Sequence, residues 1–215
     1  MIKNWHVYLV TEEKFSSKST IEVVKEAIKG GVDVIQLRDK NLNMRERYEI
    51  GKAIKKLAHD AGVDFIVNND VDLAMALDAD GIHIGQEDLP IEVVRKLMGK
   101  DKIIGVSVSN LEEIYEAQEK GADYIGVGAI FDTNSKDVKK ENSNLGLNML
   151  RMAKEKGRLP IIAIGGINHD NAGKVITSGA DCISVISAIA SSRDIEKSTA
   201  LLKEIIIKSK EYKNE

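Results

Sequence analysis

Two cations and an amide alternate in Gln36-Leu37-Arg38-Asp39-Lys40, which closes the largely apolar run Val34–Leu37. In an extended chain successive side chains point to opposite faces, so Gln36, Arg38 and Lys40 share one side. A guanidinium and an ammonium there can neutralise a pyrophosphate, while the amide orients a polar ring. A solvated charged turn is the plainer reading. Against it, Gln36 interrupts an apolar run, where an amide is costly to bury without a purpose.

Further oxygen donors follow two later apolar runs, in Asn68-Asn69-Asp70 and in Gly85-Gln86-Glu87-Asp88. Side chains of these types on neighbouring strand ends can share one Mg²⁺, a cation that prefers oxygen ligands and keeps several waters. Asn and Asp also cap helices, and here Asp70 and Asp88 each precede a helical segment. Both readings stay open on these residues alone. His83 lies inside an apolar run, where a packed, hydrogen-bonded histidine is the ordinary expectation, and it is assigned no chemistry. Ser107 follows the run Ile103–Val106.

The stretch from Gly128 to Asn144 is long and polar, and carries the donors Thr133, Asn134, Ser135 and Lys136. Loops of this length in compact domains are commonly functional. Its first part is expected to order on a ligand and its later part, with Lys139, Lys140 and Glu141, to be mobile. Gly165-Gly166-Ile167 and Ile186-Ser187-Ala188-Ile189 close the last two apolar runs. A glycine pair lets backbone N–H groups approach an anion, and a serine turn one unit later adds donors, a combination that predicts a phosphate site.

These groups need strands to carry them. The apolar runs are Val7–Val10, Val34–Leu37, Phe65–Val67, Gly81–Ile84, Ile103–Val106, Tyr124–Val127, Ile161–Ile164 and Cys182–Ile186, short and rich in Val and Ile as buried parallel strands are. Amphipathic segments alternate with them: Thr20–Lys29, Met44–Ala61, Asp70–Leu77, Pro90–Met98, Leu111–Lys120, Leu147–Lys156, Asn171–Ser178 and Ile195–Tyr212. A Gly-Val-Asp or Gly-Ala-Asp phrase recurs, at Gly31, Gly62, Gly121 and Gly179, where glycine ends a helix just before a strand begins. Eight such units predict a (β/α)₈ TIM barrel rather than an open doubly wound sheet, as one domain over residues 1–215. In a barrel the functional groups gather at the carboxyl ends of the strands, where all those above fall.

Bulk properties exclude other classes. The chain has 215 residues, 43% hydrophobic, with a formal net charge of −3, which argues against a generally basic nucleic-acid binder. One cysteine, Cys182, permits no internal disulfide and fits a reduced, cytoplasmic setting. No signal peptide is read at the N-terminus, and no apolar stretch approaches the ~20 residues that span a bilayer.

In this order, Gln36 to Lys40, Gly81 to Asp88, Gly126-Val127-Gly128 with Thr133 to Lys136, Gly165-Gly166-Ile167 and Val185 to Ile189 resemble the thiamine-phosphate synthase family, from about Tyr8 to the last helix. The resemblance implies a ribulose-phosphate-binding-like barrel and a transferase of thiamine biosynthesis. Such an enzyme condenses a hydroxymethylpyrimidine diphosphate with a hydroxyethylthiazole phosphate by dissociative loss of pyrophosphate and capture of a pyrimidine carbocation. It further implies that Arg38, Lys40, Asn68 and Lys136 hold the diphosphate, with Mg²⁺ between it and Asp88. Gln36 addresses the pyrimidine, and Ser107 lies beside it; Leu37 and Asp39 belong to the same substrate segment. By the same token Thr133, Asn134, Ser135, Gly166, Ile186 and Ser187 hold the thiazole phosphate. Lys136, Arg38, Lys40 and Ser107 are the residues expected to carry the reaction, and small phosphorylated substrates are the expected partners; homo-oligomerisation is left open.

Two positions depart from the family pattern. The metal-ligating Asp is replaced by Asn69, which leaves an uncharged oxygen in that place unless Asp70 has taken over. Ala129 stands where proline is usual, a change expected to loosen the loop. A thiazole tautomerase-like barrel and a non-catalytic sensor of phosphorylated metabolites are the competing readings. The first uses a histidine where this chain has Ser109, and the second has no use for the diphosphate cations.

Overall fold

The computed structural model describes residues 4–133 and 144–214. Eight parallel strands close into a barrel in sequence order: β1 (Val7–Val10), β2 (Val34–Leu37), β3 (Asp64–Asn68), β4 (Gly81–Ile84), β5 (Ile103–Val108), β6 (Tyr124–Val127), β7 (Ile161–Ile164) and β8 (Cys182–Val185). The helices are α1 (Thr20–Lys29), α2 (Met44–Ala61), α3 (Val71–Ala76), α4 (Ile91–Met98), α5 (Leu111–Glu119), α6 (Gly146–Lys156), α7 (Ala172–Thr177), α8 (Ser187–Ala190) and α9 (Ile195–Asn214). A 3₁₀ turn, Glu13–Phe15, follows β1. Local signals account for several boundaries. Ser19 with Glu22, and Asn43 with Glu46, form reciprocal capping boxes at α1 and α2. Gly62 ends α2 in the left-handed region at φ 68°.

Strand alternation sorts the core into two volumes. Val7, Leu9, Ile35 and Leu37 face outward and pack beneath the helices. Tyr8, Val10, Val34, Ile66, Tyr124 and Ile162 fill the barrel interior with Trp5 beneath them. Two glycines make room for interior side chains. A Cβ on Gly105 would sit 1.9 Å from Tyr124 Cζ, and one on Gly126 would sit 2.9 Å from His83 Cε1. The register sets His83 beside Gly105, Gly105 beside Tyr124, and Ser107 beside Gly126.

At the amino end of the barrel one device is used four times. An aspartate just before each even strand accepts an N–H from the start of the preceding odd strand and pairs with a cation from a helix. Asp33 accepts from His6 and Val7, both at 2.9 Å, and holds Lys203 of α9 at 2.6 Å. Asp80 accepts from Phe65 at 2.8 Å and holds Lys55 of α2 at 2.7 Å. Asp123 does the same with Ile104 at 2.8 Å and Arg95 of α4 at 2.6 Å. Asp181 completes the set with Ile161 at 2.9 Å and Lys154 of α6 at 2.8 Å.

Several sequence expectations need correction. Neither Asp70 nor Asp88 caps a helix through its side chain. Asp70 occupies the N-cap position of α3, but its carboxylate turns to Arg47. Asp88 accepts from the backbone N–H of Gly85 at 2.6 Å, and Pro90 occupies the N-cap position of α4. β3 and β5 run on to Asn68 and Val108, so Asn68 and Ser107 lie within strands rather than after them.

Candidate active site

The carboxyl ends of the strands surround an open cleft of about 800 Å³. Arg38 and Lys40 reach it from β2, Asn68 and Asn69 from β3, Asp88 from the β4 turn, and Ser107 from β5. Across from them, Thr133, Gly166, Ile186 and Ser187 line the same space. A smaller recess of about 40 Å³, lined in part by the same residues, adds Gln36, Tyr8, His83 and Tyr124. The alternation expected of the β2 segment is therefore present. It also leaves two candidates outside the cleft: Leu37 is buried in the layer beneath the helices, and the Asp39 carboxylate accepts from the N–H groups of Glu13 and Asn41. Asn134, Ser135 and Lys136 lie outside the described residues.

The two β2 cations differ in setting. Arg38 is 7% exposed and pairs with the buried carboxylate of Glu12, while its backbone N–H donates to Thr11 Oγ1 at 3.0 Å. Its guanidinium is thus preoriented at the cleft wall. Lys40 is exposed at the cleft and forms no ion pair among the described residues. Glu12 and Thr11 escaped the sequence reading, although they directly follow β1 and so stand where strand-end chemistry is expected.

Asn69 and Asp70 are separated by function of geometry. Asn69 adopts φ 64°, a left-handed conformation that asparagine tolerates better than most residues, and its side chain meets the cleft. Asn68 Nδ2 donates to Asn69 Oδ1, which fixes the orientation of that amide. Asp70 is held outside by Arg47. Asn69 and Asp88 together supply an amide oxygen and a carboxylate, the donor chemistry that Mg²⁺ takes when most of its remaining ligands are water and phosphate. Among the described residues the charged groups of the cleft wall are Arg38 and Lys40 against Glu87, Asp88, Glu113 and Asp132. A polyanion would need further positive charge beside so acidic a wall, and the residues present fit a divalent cation.

On the opposite wall the glycine pair has a packing role that the sequence did not disclose. Gly165 and Gly166 adopt φ 102° and 63°. A Cβ on Gly165 would meet Ala129 at 2.5 Å, and one on Gly166 would meet the Asp132 carbonyl oxygen at 2.6 Å. Close approach of β7 to the segment after β6 therefore requires both. The serine turn expected after β8 is the short helix α8, which begins at Ser187 and brings Ile186, Ser187 and Ala188 to the cleft. Ser109, on the rim, donates to the Glu113 carboxylate from its backbone and its hydroxyl.

The barrel interior holds what sequence spacing missed. Gln36 Nε2 donates to Tyr8 Oη at 2.6 Å, and Tyr8 Oη lies 3.0 Å from Tyr124 Oη. His83 bonds through Nδ1 to Tyr124 Oη and through Nε2 to Ser107 Oγ, each at 2.9 Å. Burial pushes both phenols above their ordinary range, well above for Tyr124, so they stay protonated.

The family model described as thiamine monophosphate synthase matches residues 7–189. Curated relatives include thiamine-phosphate synthases of Natronomonas pharaonis, 49% identical over 96% of this chain and 97% of the relative, and of Moorella thermoacetica, 46% identical over 96% and 98%. A solved thiamine phosphate pyrophosphorylase from Pyrococcus furiosus superimposes with a TM-score of 0.85 at 42% identity, covering 95% of this chain and 96% of that one. A 3-hexulose-6-phosphate synthase shares the fold at a TM-score of 0.68 and 21% identity.

Proposed function

The chain belongs to the thiamine monophosphate synthase family, and from that premise we propose how its own residues carry out the coupling. The enzyme is a transferase that joins a hydroxymethylpyrimidine diphosphate to a hydroxyethylthiazole phosphate, giving thiamine phosphate and pyrophosphate. In the proposed course the bond from the pyrimidine methylene carbon to the diphosphate oxygen breaks first, and its electron pair leaves with the diphosphate. The thiazole nitrogen then donates its lone pair to the cationic methylene. No proton has to move, so the protein needs neither nucleophile nor base; it needs leaving-group neutralisation and two rings held in line.

The single observation that supports this reading is the division of one cleft into two walls. Arg38, Lys40 and Asn68 stand on the wall that suits the diphosphate, and Gly166, Ile186 and Ser187 on the wall that suits a phosphomonoester. Arg38, held by Glu12, supplies fixed donors to the leaving group, and Lys40 meets it from the rim; Lys136 is proposed as a further diphosphate ligand, and Asn134 and Ser135 as ligands of the thiazole phosphate. Thr133 and the α8 backbone serve the thiazole phosphate. Asn69 and Asp88 would hold Mg²⁺, which when bound supplies charge to the diphosphate oxygens. Gln36 and Ser107 orient the pyrimidine.

We place the protein in the reduced cytoplasm as one domain; its lone thiol, Cys182, is buried, and among the described residues no helix is long and apolar enough to cross a membrane. Incubating the protein with both phosphorylated heterocycles and Mg²⁺ should yield thiamine phosphate and pyrophosphate in equal amounts. Pyrophosphate release that does not depend on the thiazole phosphate, or tautomer exchange of the thiazole without coupling, would defeat the assignment.

A further inference from the structure

We propose that Tyr8, Tyr124 and His83 are positioning residues for the coupling reaction, forming a buried hydrogen-bond chain that makes Gln36 and Ser107 present opposite roles, one acceptor and one donor, to the aminopyrimidine. The inference rests on the functional reading above and deepens it.

Proton counting carries the argument. Four bonds connect Gln36, Tyr8, Tyr124, His83 and Ser107 in series. Each phenol has one proton to give, and a neutral imidazole has one N–H and one bare nitrogen. With Gln36 donating through Nε2, Tyr8 donates to Tyr124 and Tyr124 donates to His83 Nδ1. The imidazole then carries its proton on Nε2 and donates to Ser107 Oγ. This leaves the Ser107 proton for the cleft and Gln36 Oε1 as an acceptor. Turning the Gln36 amide over reverses every bond, and the two ends exchange roles. In both senses the ends stay opposite, because a buried phenol whose proton found no acceptor would cost free energy.

An aminopyrimidine edge is complementary to such a pair. Its exocyclic amine donates and the adjacent ring nitrogen accepts. Gln36 and Ser107 both border the recess with the three residues that link them. The barrel is also shaped around the chain: Gly105 and Gly126 leave the space that the Tyr124 and His83 rings occupy. Those rings stack at 5.4 Å between centroids, and Tyr8 meets Tyr124 edge to face at 6.3 Å. The buried phenols keep their protons, so the chain directs hydrogen bonds rather than delivering an acid.

Tyr124→Phe cuts the chain while keeping the ring, and Tyr8→Phe cuts it nearer Gln36 should the first variant fold poorly. Calorimetric titration would compare three probes on each protein: the pyrimidine diphosphate, its analogue lacking the exocyclic amine, and inorganic diphosphate. Wild type should prefer the amino ligand by about tenfold, the worth of one directed hydrogen bond. In either variant the preference should shrink to within about twofold while inorganic diphosphate binds as before. A preference that survives the cut overturns the proposal, as does an equal loss of inorganic diphosphate affinity, which marks general disturbance of the cleft. A wild-type protein that binds none of the pyrimidine ligands overturns the functional reading itself, and this proposal with it.

Discussion

Asn69 shows how far single residues can be read without coordinates. Its oxygen-donor chemistry and its place after β3 were legible, but the competition with Asp70 was not, because neighbours in sequence differ only in direction. Backbone geometry turns Asn69 into the cleft, while Arg47 takes Asp70 away from it. Asn69→Asp should therefore lower the Mg²⁺ concentration giving half-maximal activity, since it adds a charge to the proposed cation site and aspartate accepts the same left-handed conformation. Asp70→Ala should leave the Mg²⁺ dependence alone and cost about 1 kcal/mol of stability through the lost ion pair. A Mg²⁺ titration of the three proteins decides between them; a metal-starved Asp70→Ala would show the ligand to be the other residue. Glu12, Tyr8 and Tyr124 were silent for a different reason. Their partners Arg38, Gln36 and His83 lie 26, 28 and 41 residues away, and no spacing rule connects them.

Elements were easier. All eight strands were legible, because Val- and Ile-rich runs between amphipathic segments leave few alternatives, and their ends differ from the expectation by at most two residues. The 3₁₀ turn at Glu13–Phe15 and the four-residue α8 were missed; neither is long enough to show a helical period. The β7 glycine turn carried the expectation of an anion site; its role as a packing joint was not legible. A Cβ at Gly166 would press on the Phe131–Asp132 segment that leads into Thr133. Gly166→Ala should weaken both phosphorylated ligands by tenfold or more, on the order of 1.4 kcal/mol. Gly62→Ala is the matched control: φ is 68° there and nothing lies within 4 Å of the added Cβ. It should cost roughly 1–2 kcal/mol of stability and leave binding intact. Should Gly62→Ala impair binding equally, backbone strain rather than contact with the β6 segment would be the cause.

Across the whole molecule, stability and chemistry sit at opposite ends of the strands. The Gly-Val-Asp and Gly-Ala-Asp phrases were legible as helix stops; the second task of Asp33, Asp123 and Asp181 was not, since it depends on which strand stands alongside. Asp80, the fourth member, lacks the phrase altogether. Asp33→Ala strands the His6 and Val7 N–H groups and the Lys203 ammonium, and should cost about 2–4 kcal/mol in urea unfolding. Turnover at saturating substrate should be unchanged at temperatures where the variant is folded. A turnover loss without a stability loss would mean that the amino end of the barrel communicates with the cleft. The four aspartate joints, alike in space, also differ in time. Those at Asp80, Asp123 and Asp181 join residues 25, 28 and 27 apart, whereas Asp33 and Lys203 are 170 apart. Closing the longer loop costs roughly 1.6 kcal/mol more in chain entropy than closing the shorter ones. In three joints the second half follows the first within 28 residues as the chain emerges from a ribosome; the fourth has to wait for its last helix, so the circle is drawn in arcs and shut at the end.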